Sequence, residues 1–468
     1  MFRTHVHGCL SHSRLLRISV PFLLLSLCGS NPIQPSDDVK REPRVCTEIP
    51  SFDIVTVSPD EVCRSLRPIL DGKQLTDTPR VEILRRYTGA MVQQGKLNEA
   101  FAEFRELHEL DPSDIAASCV YEALRWMQFE DIDALKTLER IAERNPESAV
   151  PLVAIAMCYH VGKNQQPKTT IAYATRALQI QPDCYDALAV RSFAHKAMRE
   201  WSKCFEDASR AVLLVPGIFI TPDDVWMVRG ASQMALNDYN GALASFVMSL
   251  RLDPTSAPSL MGICKAYSEM GKFDAAIRAA DRLVALREEE VAGHLAAIET
   301  RMEAGRTQEG VTLAWKATKR FPNEASVLAL YGKCLLAAGG FDEGMRCLDQ
   351  AISKNPNYAK ALAVKAQFLI GHPDDAKRDP AVAMQLAKRA CELTKWQDWN
   401  MVFIYASTLS ELGQTQEAIR WLEHCESLPP VSTGTDSVRE YLRTWKSKFR
   451  AGERYRLEEV QRTADLRQ

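Results

Sequence analysis

Residues 223–254 read DDVWMVRGASQMALNDYNGALASFVMSLRLDP. The stretch describes two antiparallel helices. Gly230 and Ala242 are small enough to let those helices approach closely, Trp226 and Phe246 fill the volume beside the contact, and Pro254 stops the second helix. Working outward, prolines close other units at a fixed interval. Pro112 and Pro146, Pro182 and Pro216, and Pro322 and Pro356 share one spacing, and Glu288 stands midway between Pro254 and Pro322. The two longer gaps, after Pro146 and after Pro216, hold extra residues at Lys163–Lys168 and Gly217–Pro222. These are expected to be loop insertions.

The five landmarks Trp226, Gly230, Ala242, Phe246 and Pro254, with the proline recurring about every 34 residues, resemble the tetratricopeptide-repeat family. A second unit keeps Leu260, Tyr267, Gly271, Ala276 and Ala280, and a third keeps Leu328, Tyr331, Gly332, Leu335, Gly339, Leu348, Ala351 and Pro356. Gly95, Gly271, Gly305 and Gly413 fall where a first helix should end in a left-handed residue. The resemblance implies an all-α, right-handed superhelical solenoid of antiparallel helix pairs, with about ten repeats over residues 81–430. The amphipathic helix expected near 436–450, within a closing segment 431–468, would cap the stack. Residues 58–80 are expected to form a helical cap at the other end, opening on Ser58-Pro59-Asp60-Glu61. The ending from Arg450 to Arg456 is similar to that of a bacterial subgroup of these proteins.

In this family the first helix of each unit lines a concave face through positions 2, 5, 9 and 12, which share one stripe of a 3.6-residue helix. The amino-terminal stripe then reads Cys119, Ala123, Trp126, Val153, Met157, His160, Phe193, Met227, Met234 and Met261, an apolar, methionine-rich strip suited to a peptide or helix if it is accessible. Farther on it reads Lys265, Glu299, Met302, Glu303, Lys333, Gln367, Phe403 and Ser407. Each of these methionines could equally pack against its own second helix. The Lys and Asn pair by which some relatives grip a terminal carboxylate is absent: its positions hold Arg85 and Gly89, Cys119 and Ala123, Ala189 and Phe193, or Met227 and Ala231.

Composition narrows the function further. Fifty-eight Lys and Arg balance 60 Asp and Glu, so no net field draws the chain to nucleic acid. Thirteen cysteines include no CxxC pair, and Cys204, Cys334 and Cys347 read as small packing residues. No phosphate loop, GxSxG, HExxH or kinase loop occurs. The nine histidines are dispersed. No catalytic residue, metal ligand or cofactor is therefore assigned, and the expected function is a non-catalytic scaffold for a protein or peptide. The alternative is a regulatory or sensing module that acts by homo-oligomerisation.

At the amino terminus Arg3, Arg14 and Arg17 precede an apolar run over residues 18–28, which suits a secretory signal in residues 1–30 and is short for a membrane span. Leu25-Ser26-Leu27-Cys28 resembles a bacterial lipoprotein processing site that would lipidate Cys28, although Leu27 replaces the usual small residue. Export and, if translation starts downstream, a cytoplasmic location both stay open. The proline-rich residues 31–57 read as a linker.

Overall fold

The computed structural model describes residues 59–72, 77–94, 96, 98–161, 165–428 and 436–455. The signal, linker and Cys28 readings, together with Gly95, fall outside those residues. The described chain is helical throughout, beginning with α1 (Pro59–Asp71) and continuing as pairs. These are α2 (Asp77–Gln93) with α3 (Phe101–Leu110), α4 (Ile115–Phe129) with α5 (Ile132–Arg144), α6 (Val150–Val161) with α7 (Pro167–Ile180), α8 (Tyr185–Ala197) with α9 (Trp201–Ala211), and α10 (Pro222–Ala235) with α11 (Tyr239–Leu252). Five more follow: α12 (Ala257–Glu269) with α13 (Phe273–Leu286), α14 (Val291–Glu303) with α15 (Thr307–Arg320), α16 (Ala325–Ala337) with α17 (Phe341–Lys354), α18 (Ala359–Gly371) with α19 (Pro380–Leu393), and α20 (Trp399–Glu411) with α21 (Thr415–Ser427). Helix α22 (Asp436–Arg450) packs on α21. Ten pairs and a closing helix match the all-α, tetratricopeptide-like solenoid expected from the proline period.

The helices group into two compact units, residues 1–233 with 241–259, and residues 234–240 with 260–468. The first contains α1 to α9 and most of α10 and α11. The second contains most of α12 and all of α13 to α22.

Local chemistry sets the helix ends. The Asp114 carboxylate accepts from the Ala117 N–H at the start of α4, and Asp398 accepts from the Asn400 and Met401 N–H groups at the start of α20. First helices end on Gly271, Gly305, Gly339 and Gly413, all at positive φ. Where the sequence offers no glycine, Glu130, Arg199 and Asn237 adopt the same left-handed conformation.

Within a pair, close approach depends on missing side chains. A Cβ added to Gly230 would lie 2.8 Å from two ring carbons of Phe246, so the phenyl ring occupies the space that glycine leaves. Phe246 and Ala242 are buried, Trp226 is half-buried with the Arg229 guanidinium 5.3 Å over its ring, and Pro254 sits exposed in the turn after α11. Cys204, Cys334 and Cys347 are buried packing residues, as their repeat positions suggested. In the first unit the core runs through α6, where every residue from Pro151 to Cys158 is buried. In the second unit one core surrounds α20, with Leu442, Trp445 and Phe449 of α22 closing it.

Candidate partner-binding surface

The structure corrects the apolar strip of the first unit. Cys119 and Ala123 are fully buried, and Val153, Met157 and Phe193 are 2%, 3% and 7% exposed. Their burial has a geometric cause: counting along one helix ignores the next first helix, and here α4 packs on α6 and α6 on α8. Residues at position 12 reach across these contacts. Half-buried Trp126 donates its indole N–H to the Cys158 carbonyl (2.9 Å), the His160 ring lies 5.5 Å from the Phe193 ring, and Lys196 Nζ sits 3.9 Å from the sulfur of half-buried Met227. The strip is therefore mostly mortar between helices.

This packing perturbs the ionisable groups beside it. Burial, helped by the charge of Lys196, pulls His160 down to about 4, and burial lowers the Lys196 ammonium as well. Burial and the neighbouring charge of Asp223 push Asp224 up to about 7, although the Thr221 hydroxyl donates to it at 2.9 Å. The signs oppose each other. His160, depressed from 6.5, contributes stability that is lost as pH falls toward 4, whereas Asp224, raised from 3.8, contributes stability that is lost as pH rises toward 7. Above pH 6.5 the unfolded His160 is less than half protonated and its contribution fades, while the folded Asp224 carboxyl goes on titrating to about 7. Asp224→Asn is expected to flatten the decline in denaturant resistance of the first unit between about pH 6.5 and 7.5. An unchanged slope in urea titrations at those two pH values contradicts the assignment.

Sequence reading also missed Asp186. Its carboxylate, at the start of α8, accepts from the backbone N–H groups of Ile218 (2.7 Å), Phe219 (3.1 Å) and Ile220 (3.1 Å). Burial pushes Asp186 up to about 6 against the downward pull of those donors. The insertion after α9 is thus tied down, with Phe219 and Ile220 buried beneath it while Leu213 and Val215 remain exposed. Gly217 is required because any side chain there would overlap the Asp186 carboxylate.

The second unit keeps an accessible row. Met261 of α12 is 43% exposed, and Lys265 on α12, Glu299 on α14 and Lys333 on α16 are all exposed. These three charged residues stand one repeat apart, each at position 9 of its first helix. Exposed Glu303 lies nearby on α14. Met234 and Met302 are half-buried. The row changes character at its end. Gln367 is half-buried, while Phe403 and Ser407 are buried, so these last groove positions belong to packing rather than to open surface. Phe403 meets the rings of Tyr441 (5.2 Å), Trp445 (6.1 Å) and Tyr455 (6.0 Å). Aromatic residues beyond the last repeat cover it, and no count within a single helix reveals them.

Tetratricopeptide-repeat family models match residues 301–368 and 401–431. A search of curated proteins returns no match. Among solved structures, the chain is similar to yeast Tom70 (14% identity, 84% of this chain and 92% of that one, TM-score 0.49). It is also similar to the Cut9–Hcn1 hetero-tetramer of the APC/C (14% identity, 66% of this chain, TM-score 0.49), of which it spans only 59% of the matched chain's length. The type IV pilus biogenesis factor PilW aligns with 44% of this chain and 93% of its own, at 15% identity and a TM-score of 0.39. Residues 301–368 and 401–431 thus match the tetratricopeptide repeat's own models, and the described residues form the all-α, tetratricopeptide-like solenoid that the proline period predicts.

Proposed function

We propose that the protein is a non-catalytic scaffold that holds a protein or peptide along the row Lys265, Glu299 and Lys333, with Met261 as an apolar contact at its edge. The observation that carries this reading is the exposure of Lys265, Glu299 and Lys333 at equivalent positions of three successive repeats while the apolar groove positions of the first unit are buried or half-buried. Packed helices lie about 8–10 Å apart, and an extended peptide advances about 3.3 Å per residue. A peptide crossing the row therefore meets a new helix roughly every three residues. Charge complementarity then favours an acidic residue, a basic residue three positions on, and an acidic residue three further on. The basic-then-apolar amino terminus supports delivery of this scaffold outside the cytoplasm, and lipidation of Cys28 would anchor it there.

A photo-crosslinking amino acid at Met261, introduced in the native host, is expected to capture a protein partner. The same group at Trp315, exposed on the second helix α15, serves as the control. Reversing both lysines, Lys265→Glu with Lys333→Glu, should reduce capture about tenfold, as expected for the loss of about 1.4 kcal/mol of favourable charge contacts. Equal capture from Met261 and Trp315, or no change on charge reversal, contradicts the reading.

A further inference from the structure

The exposed row ends where the chain's own carboxy-terminal segment begins. Gln367 lies one repeat after Lys333 and is the next position 9 in the series, yet it is engaged by Tyr455. Past α22 the chain reverses at Gly452 (φ +75°), whose N–H donates to the Phe449 carbonyl (3.0 Å) while the Glu453 N–H donates to the Lys448 carbonyl (2.9 Å). This turn brings Tyr455 back to the groove side of α18 and α20. The Gln367 amide donates to its phenol oxygen, its ring lies 5.1 Å from Trp445 and 6.0 Å from Phe403, and its backbone N–H donates to Glu411 Oε1 at 2.9 Å.

The manner of this contact resembles peptide recognition more than helix packing. Residues 453–455 have no helical structure, and residues 451–454 are exposed while Tyr455 is fully buried. One aromatic anchor is thus seated in a pocket, one main-chain N–H is read by a carboxylate, and the described residues before it stand in solvent, an arrangement that extended ligands use on a preformed surface.

We propose that Tyr455 is an intramolecular ligand. It occupies the carboxy-terminal end of the partner-binding row, and the site beneath it accepts a peptide that bears a tyrosine or phenylalanine. A partner that continues past Lys333 gains this pocket by displacing Tyr455. The proposal rests on the reading of Lys265, Glu299 and Lys333 as the partner row. A ligand tethered through so short a turn is present at an effective concentration on the order of millimolar. A free peptide of micromolar affinity is therefore excluded from the intact protein by a factor of roughly 1,000.

The test uses the full chain and a fluorescent synthetic peptide of residues 451–460, AGERYRLEEV. Fluorescence anisotropy is expected to show binding to Tyr455→Ala at least about tenfold tighter than to the unmodified protein, and loss of binding when the peptide's tyrosine is replaced by alanine. Gly452→Val keeps Tyr455 and every pocket residue but strains the turn, and should raise peptide binding partway while hydrogen exchange at the Tyr455 amide quickens and α20 and α22 stay protected. Equal binding to the Tyr455→Ala and unmodified chains, with α20 and α22 protected in both, overturns the proposal. So does a Tyr455 amide in Gly452→Val that opens only together with α22, which decides the matter if Tyr455→Ala fails to fold. Peptide binding to Tyr455→Ala alongside failed crosslinking at Met261 would remove the partner row and leave the pocket standing; the opposite pair of results would remove only the pocket.

Discussion

Asp186→Ala is expected to destabilise the first unit by about 3–5 kcal/mol, because it strands two buried backbone donors and one half-buried one that a carboxylate now satisfies. Hydrogen exchange is the appropriate readout, since stacked repeats open piecewise and a single unfolding midpoint would blend them. The amides of Ile218, Phe219 and Ile220 should exchange on the order of 100-fold faster or more, with smaller effects elsewhere in the unit. Asp186→Asn retains one acceptor oxygen and should fall between the alanine variant and the unmodified chain. Gly217→Ala, which pushes a methyl group into the same carboxylate, should reproduce much of the loss. Unchanged protection over 218–220 in Asp186→Ala would mean that the insertion is held by the burial of Phe219 and Ile220 alone.

Phe403→Ala carries the second large effect. Its ring is 2% exposed within an aromatic cluster formed by Tyr441, Trp445 and Tyr455, so truncation leaves a cavity and should cost about 3–5 kcal/mol in the second unit. Met261→Ala, at a residue of the same sequence-derived stripe, removes a side chain that is 43% exposed and should change stability by no more than about 1 kcal/mol. Denaturant titrations of the two variants, followed by hydrogen exchange in α20 and α22, separate a packing residue from a surface one. Similar stability losses in both would contradict the division drawn between them.

The contrast between these two residues marks how far the sequence could be read. Helix pairing is encoded locally: a small residue at Gly230, a ring at Phe246, a left-handed glycine at Gly271 or Gly413 and a proline after most second helices all act within one repeat, so the fold was legible. Exposure at a groove position is set by the neighbouring unit. Val153, Met157 and Phe193 share a stripe with Met261, but α4, α6 and α8 press together, whereas Met261 stands open. Position 9 nonetheless carried a usable signal. Lys265, Glu299 and Lys333 recur one repeat apart as charges, and charged side chains avoid unpaired burial. Asp186 and Tyr455 gave no comparable signal, because each is engaged by a segment distant in sequence: the insertion after α9 holds the partners of Asp186, and Gln367 of α18 reaches Tyr455 beyond the last repeat.

Oxidation of methionines tests the division between packed strip and open row most directly. Brief hydroxyl-radical exposure of the folded protein, read by peptide mass spectrometry, should oxidise Met261 at least about tenfold faster than Met157 or Met401, in line with exposures of 43%, 3% and 5%. Comparable rates at the three sites would show that the apolar strip of the first unit is open, and would return the partner surface to Val153, Met157 and Phe193.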